Sequence, residues 1–308
     1  MINEQDLMPD LDREKIFAEA RSFDPLSSLE EFTNRHKAAI EILRIGGVHP
    51  TEVSEMDNPY TGKPHSESFA NIGEHCLAVA SLSSTLAFKI YDKGILSTLE
   101  VDQIINRALI HDASKRFEIM RRHAFEEGLA EEVYTPKAYE NIKLILETRG
   151  IDSELVDYMV DAGKETGELG LQLLLMLRYG IPGLVPDRLV EKIVYLADSM
   201  TSTSIPNPGE KPLTVFLTAW ERIIASDFHN RYPRVWKAGL AFDTNDRVIA
   251  VEDIKLNDST LRWCRNYAFW VPYVSNEICK EIQLVIDPRN TQRPEFFIKE
   301  LINNELIH

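Results

Sequence analysis

RALIHDASK, residues 107–115, is the stretch on which the reading of this chain turns. Ile104, Ala108 and His111 recur at helical spacing and form one row, while Ile105, Leu109 and Asp112 form the row beside it. A histidine and an aspartate therefore close the apolar stripe of an amphipathic helix. The pattern occurs twice more. In EHCLAVASLSSTLA, residues 74–87, His75 heads a face continued by Val79, Leu82, Leu86 and Ile90, with Asn71 and Glu74 spaced as an N-cap and its third helical residue. In EKIVYLADSMTS, residues 191–202, Asp198 ends a row begun by Val190 and Val194, beside Leu189, Ile193 and Leu196.

Ionisable groups on an inward stripe need partners, and one divalent cation ligated by His75, His111, Asp112 and Asp198 would serve all four at once. Consecutive helical residues point about 100° apart, so His111 and Asp112 reach one ion only if it lies over the groove between them. Plainer readings exist for single positions. His75 alone reads as a core histidine bonded to carbonyls, and Asp198 alone as a side chain bonding the amides of the turn after it.

The ordered set of a histidine, a His-Asp pair and a distant aspartate, each on its own helix, resembles the HD-domain superfamily of metal-dependent phosphohydrolases. The resemblance spans about residues 66–204 and rests on the three stretches quoted above. It implies a mostly α-helical, HD-like bundle holding one divalent ion, with Mn²⁺, Fe²⁺, Co²⁺, Ni²⁺ and Mg²⁺ as candidates. It also implies hydrolysis of a phosphate ester or anhydride by metal-activated water, with Asp112 and Lys115 as catalytic residues. Lys115, three residues after Asp112, is expected on the same helical face, where its ammonium favours an anionic substrate. One branch of the superfamily carries lysine at this place. Its mononucleotidase-like branch carries glutamate there, and this chain departs from that pattern.

Binuclear members usually add a histidine between the second and third motifs, and YMVDAGKETGELG, residues 158–170, has none. Lys164 is read there as a contact for substrate phosphate. Asp161 is a further candidate, or an ordinary polar helix end. His123 would be the candidate ligand for a second metal, but EIMRRHAFEEG, residues 118–128, is charged enough to read as a solvent-facing helix. A mononuclear site is the expectation. DFHNRYPRVWKAG, residues 227–239, interleaves aromatic and cationic side chains, reading either as a helix packing edge with a charged rim or as a substrate-binding stretch with Arg234 as its candidate contact.

With 34 Lys and Arg against 49 Asp and Glu, the formal net charge of −15 opposes binding to nucleic acid or anionic membranes. A small phosphorylated substrate, nucleotide-like in this reading, remains compatible, since diffuse charge is screened beyond about 8 Å at physiological salt. The resemblance leaves open a phosphodiesterase or triphosphohydrolase. A non-catalytic metal- or nucleotide-sensing module is the alternative of another class. No stretch approaches a membrane span, and Glu4, Asp6, Asp10 and Asp12 replace the basic region of a secretory signal, so the cytoplasm is the expected location. Cys76, Cys264 and Cys279 are few, odd in number and not spaced as zinc ligands, so neither a disulfide scaffold nor a cysteine zinc site is expected.

Along the chain, residues 1–65 read as a helical arm with helices over Arg13–Arg21 and Leu29–Ile45, followed by the loop GGVHPTEVSEMDNPYTGKPHSES, residues 46–68. That loop carries His49, Tyr60, Lys63 and His65 toward the first ligand helix, either to drape over the site or as a simple connection. The HD-type core follows to residue 205. A proline-rich linker, residues 202–213, separates it from an extension over residues 206–308, with a helix at Thr214–Ser226, a small hairpin in residues 240–254 and helices near Ser259–Tyr267 and Glu295–Leu306.

Overall fold

Asp24 opens the first helical stretch: its side chain accepts a hydrogen bond from Leu26 N at 3.1 Å, and Pro25 supplies the fixed φ of the first position. The computed structural model describes residues 16, 20, 22–54, 57–63, 68–129, 136–151, 153, 156–157, 189–204, 213–218, 221, 274–275 and 278. The chain forms two units, Asp24–Leu169 and Met1–Phe23 with Gly170–His308. The described residues are mostly helical, with one small antiparallel sheet.

In the Asp24–Leu169 unit a 3₁₀ turn at Pro25–Ser28 leads into α1 (Leu29–Arg35) and α2 (Lys37–Gly46). The single helix expected over Leu29–Ile45 is thus two. His36 leaves helical geometry (φ −123°, ψ 47°), and its buried ring donates from Nδ1 to Asn106 Oδ1 at 3.0 Å. A tertiary hydrogen bond here takes precedence over local helix continuity, which propensity alone does not register. Next come α3 (Ala70–Tyr91), α4 (Thr98–Ile110), α5 (Lys115–Glu126) and α6 (Pro136–Thr148). Leu77, Leu82, Leu86 and Ile90 of α3 and Ile104 and Leu109 of α4 are fully buried. Each such side chain contributes about 1.5–3 kcal/mol of burial, which makes α3 and α4 the framework of this unit.

Two helix starts differ in kind. Ser97 caps α4 with a complete capping box, accepting from Glu100 N at 3.3 Å while Glu100 Oε2 accepts from Ser97 N at 2.8 Å. At α3 the expected Asn71–Glu74 cap is absent, because the helix has already begun at Ala70 and Asn71 is exposed within its first turn. Ser68 Oγ accepts from Ala70 N at 3.3 Å instead.

The other unit holds β1 (Ser22–Phe23), α7 (Leu189–Met200), β2 (Thr201–Ser204) and β3 (Leu213–Phe216), in sheet order β1-β3-β2 with both pairings antiparallel. Two expectations are corrected here. The segment after Asp198, read as linker from its first residues, continues from α7 directly into β2, and Thr214, read as helical, pairs with Thr203 in β3. β-branched residues at 201, 203, 214 and 215 suit a pleated surface, and the Phe23–Phe216 ring contact at 5.5 Å adds a cross-strand pair. The missed signal was Thr-x-x-Glu at residues 218–221. Thr218 Oγ1 accepts from Glu221 N at 3.2 Å and Glu221 Oε2 accepts from Thr218 N at 2.8 Å, a capping box that places a helix start after β3. The hairpin expected in residues 240–254 and the two closing helices lie outside the described residues. Among the described residues no helix is long and apolar enough to cross a membrane.

The contrast between the two helix starts is measurable by urea unfolding. Ser97→Ala is expected to lower stability by about 1 kcal/mol. Asn71→Ala, at an exposed helical position with no capping duty, is expected to lower it by nothing or to raise it by a few tenths of a kcal/mol.

Candidate metal centre

The His-Asp pair does not sit on a continuous helix. α4 ends at Ile110, residues 111–114 form a turn, and α5 begins at Lys115. The turn is drawn tight by i to i+3 bonds, Ala113 N to Ile110 O at 3.0 Å and Lys115 N to Asp112 O at 2.9 Å. Its cause lies in the histidine. The His111 ring donates from Nδ1 to Ala108 O at 2.7 Å, taking the carbonyl that would accept the next rung of the helix. The expectation that Lys115 shares one helical face with the pair is therefore corrected: Lys115 is the first residue of the following helix.

That bond also assigns the ring chemistry. In the neutral ring Nδ1 then carries the proton and Nε2 holds the lone pair, and Nε2 is buried. Metal-bound histidines are oriented in the same way, by a carbonyl accepting from the nitrogen that does not ligate. His75, on the second turn of α3, brings its ring centroid to 5.2 Å from that of His111, with the planes inclined at 59°. One potential ligand atom from each of His75, His111 and Asp112 lies within 4.8 Å of the others. Two imidazoles and a carboxylate so placed are a donor set suited to a first-row divalent ion. The residues present fit a metal.

Lys115 reaches back over the turn, its Nζ 3.8 Å from Asp112 Oδ1. The two side chains are 43% and 23% exposed, and an ion pair this long and this wet contributes at most about 1 kcal/mol. Beside His75, burial raises the Glu74 carboxyl above its ordinary pKa, and the nearby Asp24 charge adds to the shift.

What fixes the turn is a pair of glycines. Gly46 lies so close that a Cβ there would stand 3.0 Å from Ala113 O. Gly47, at φ +73°, caps α2 in the left-handed region, and a Cβ on it would collide with the Arg116 guanidinium. Arg116, only 1% exposed, donates from Nη1 to Gly47 O at 3.2 Å and lies 5.3 Å over the Phe69 ring. Burial lowers its pKa, and the like charge of Arg149 adds to this. The same loop presses on α3, where a Cβ on Gly73 would collide with Val48 O. The 46–50 segment thus ties the His111–Ser114 turn to the helix that carries His75.

The group within this unit comprises His75, His111 and Asp112. Asp198 belongs to the other unit, half-buried on the last turn of α7. His123 is half-buried on α5, outside the group, and among the described residues no second such cluster forms. Asp161, Lys164 and Arg234 lie outside the described residues, as does His65. Sequence reasoning passed over Ser114, Arg116, Glu118 and Arg121. The signal available was that α5 packs four cationic residues, Lys115, Arg116, Arg121 and Arg122, against Glu118 and Glu126 in a chain of net charge −15. Compared with protein-family models, with curated proteins and with solved structures, the chain has no match.

The tautomer is open to direct test. Long-range ¹H–¹⁵N correlation spectra should show His111 with its proton on Nδ1 at neutral pH, and Zn²⁺ should shift the Nε2 resonance while leaving Nδ1 protonated. A His111 ring protonated on Nε2 in the metal-free protein would contradict the geometry described.

Proposed function

We propose that this chain is a metal-dependent phosphohydrolase of the HD type, acting on a phosphate ester or anhydride of a small, nucleotide-like molecule. The observation that carries the reading is the convergence of His75, His111 and Asp112 beside the Lys115 ammonium. Asp198 is the fourth ligand in this reading, on the sequence ground that it closes an apolar helical row as His111 and Asp112 do. An HD-like bundle is the fold that goes with it.

A bound divalent ion supplies Lewis acidity, acidifying water and withdrawing charge from a phosphoryl oxygen. The chain supplies the rest. His111 presents a pre-oriented Nε2 because Ala108 O holds its other nitrogen. Asp112 brings negative charge to the donor set from within the turn and so fixes where a cation sits relative to α5. Lys115 places a positive charge next to that point, at the N-terminal end of α5, where the helix dipole also favours an anion. Charge that grows on a phosphoryl group in the transition state is stabilised there without reorganisation. Arg116 and Gly47 keep the turn from drifting when the ammonium is drawn toward substrate.

The test is turnover by the full chain, loaded with Mn²⁺, against a panel of nucleotides, sugar phosphates and generic phosphoesters. Lys115→Ala should keep its metal and lose about 10²–10³ in kcat on the best substrate, with Lys115→Arg recovering little. Unchanged turnover in the alanine variant would remove Lys115 from the site. A metal-loaded wild type that turns over nothing on the panel would favour a binding module over an enzyme.

A further inference from the structure

Ser114 stands at the N-cap of α5 and does not cap it. Its backbone is helical (φ −79°, ψ −12°), unlike that of Ser97 (φ −87°, ψ 161°), and its Oγ makes no capping bond to the amides ahead. A serine in helical geometry commonly bonds back to the carbonyl four residues earlier. Ser114 takes neither course. It is 2% exposed, and its Oγ donates forward to Glu118 Oε1 at 3.0 Å, while Ser114 O accepts from Glu118 N at 3.3 Å. Side chain and backbone thus clasp the two residues together across the first turn of α5.

The consequence of this clasp lies in its place. The metal-ligand turn has two ends, and His111 fastens the first to α4 through Nδ1 and Ala108 O at 2.7 Å. Ser114 fastens the second to α5. Asp112 lies between the two anchors, and its carbonyl accepts from Lys115 N at 2.9 Å. A rotation of α5 about residue 114 therefore carries with it both the Asp112 peptide and the Lys115 ammonium, 3.8 Å from the Asp112 carboxylate. A hydroxyl donating to a carboxylate makes a charge-assisted bond, stronger than one between neutral groups. Glu118 is half-buried, which limits competition from water.

We propose that Ser114 and Glu118 are positioning residues of the metal centre. Their hydrogen bond holds the far end of the 111–114 turn and so sets where the Asp112 carboxylate stands relative to His75 and His111. The proposal rests on the metal reading of those three residues, and neither Ser114 nor Glu118 is a ligand in it.

The test uses the full chain with Co²⁺ as the probe, followed by visible absorption and by competition with a chelator, and thermal unfolding of each metal-free protein. Ser114→Ala and Glu118→Ala should each weaken Co²⁺ binding about tenfold, the lower end of the range for groups that orient metal ligands from behind. Both should alter the visible spectrum of the bound ion, which a loss of stability alone would leave unchanged. The double variant should bind no more weakly than either single one, because the same bond is lost in each. Glu118→Gln, whose amide oxygen still accepts from the serine, should lie closer to wild type than to Glu118→Ala, a comparison that stands by itself should Ser114→Ala fail to fold. Unchanged affinity in either single variant overturns the proposal. So do additive losses, about a hundredfold in the double variant, or a loss in Glu118→Gln equal to that in Glu118→Ala, which would trace the effect to charge. A wild type that takes up no Co²⁺ removes the metal reading and the proposal with it, whereas tight wild-type binding with silent variants removes the proposal alone.

Discussion

The hydrogen bond from the His111 ring to Ala108 O, 2.7 Å long, has three consequences that the rest of the site depends on. It takes the carbonyl at which α4 would have continued, so the chain turns at 111–114. In the neutral ring it leaves the proton on Nδ1 and the lone pair on a buried Nε2. It also sets where α5 begins, and therefore where Lys115, Arg116 and Arg121 emerge. A side chain competing with the backbone for one acceptor is a small effect in energy, about 1 kcal/mol. Here it decides the geometry of a donor set.

A turn with two potential ligand residues is useful to a cation only if it is held still. Gly46 and Gly47 let the end of α2 approach the turn more closely than any side chain would permit, and Arg116 closes the contact through Gly47 O. Gly73 allows the same loop to lie against α3 near His75. The buried guanidinium carries a desolvation penalty of the kind that appears as its lowered pKa. What that penalty supports is a fixed spacing between α3, which carries His75, and the turn that carries His111 and Asp112.

The helical character of the described residues, and the grouping of His75, His111 and Asp112, were legible from apolar periodicity because packing at 3.6-residue spacing leaves a direct trace in sequence. What was not legible came from interactions remote in sequence. The break at His36 answers to Asn106, 70 residues away, and β3 forms from residues whose partners are Ser22–Phe23 and Thr201–Ser204. The end of α4 at Ile110 hid behind continued apolar spacing, because His111 keeps helical dihedrals (φ −56°, ψ −33°) while changing its hydrogen bonding. Gly46 and Gly47 read simply as a loop signal, whereas their role is close approach to Ala113 and Arg116.

Metal uptake by the folded chain tests this view of the molecule most directly. Protein stripped with EDTA and reconstituted at neutral pH with Mn²⁺ or Zn²⁺ should retain about one ion per chain by elemental analysis, and Asp112→Ala, with an unchanged circular dichroism spectrum, should lose tight binding. A correctly folded wild type that takes up no divalent ion, or an Asp112→Ala variant that binds as tightly as wild type, would contradict it.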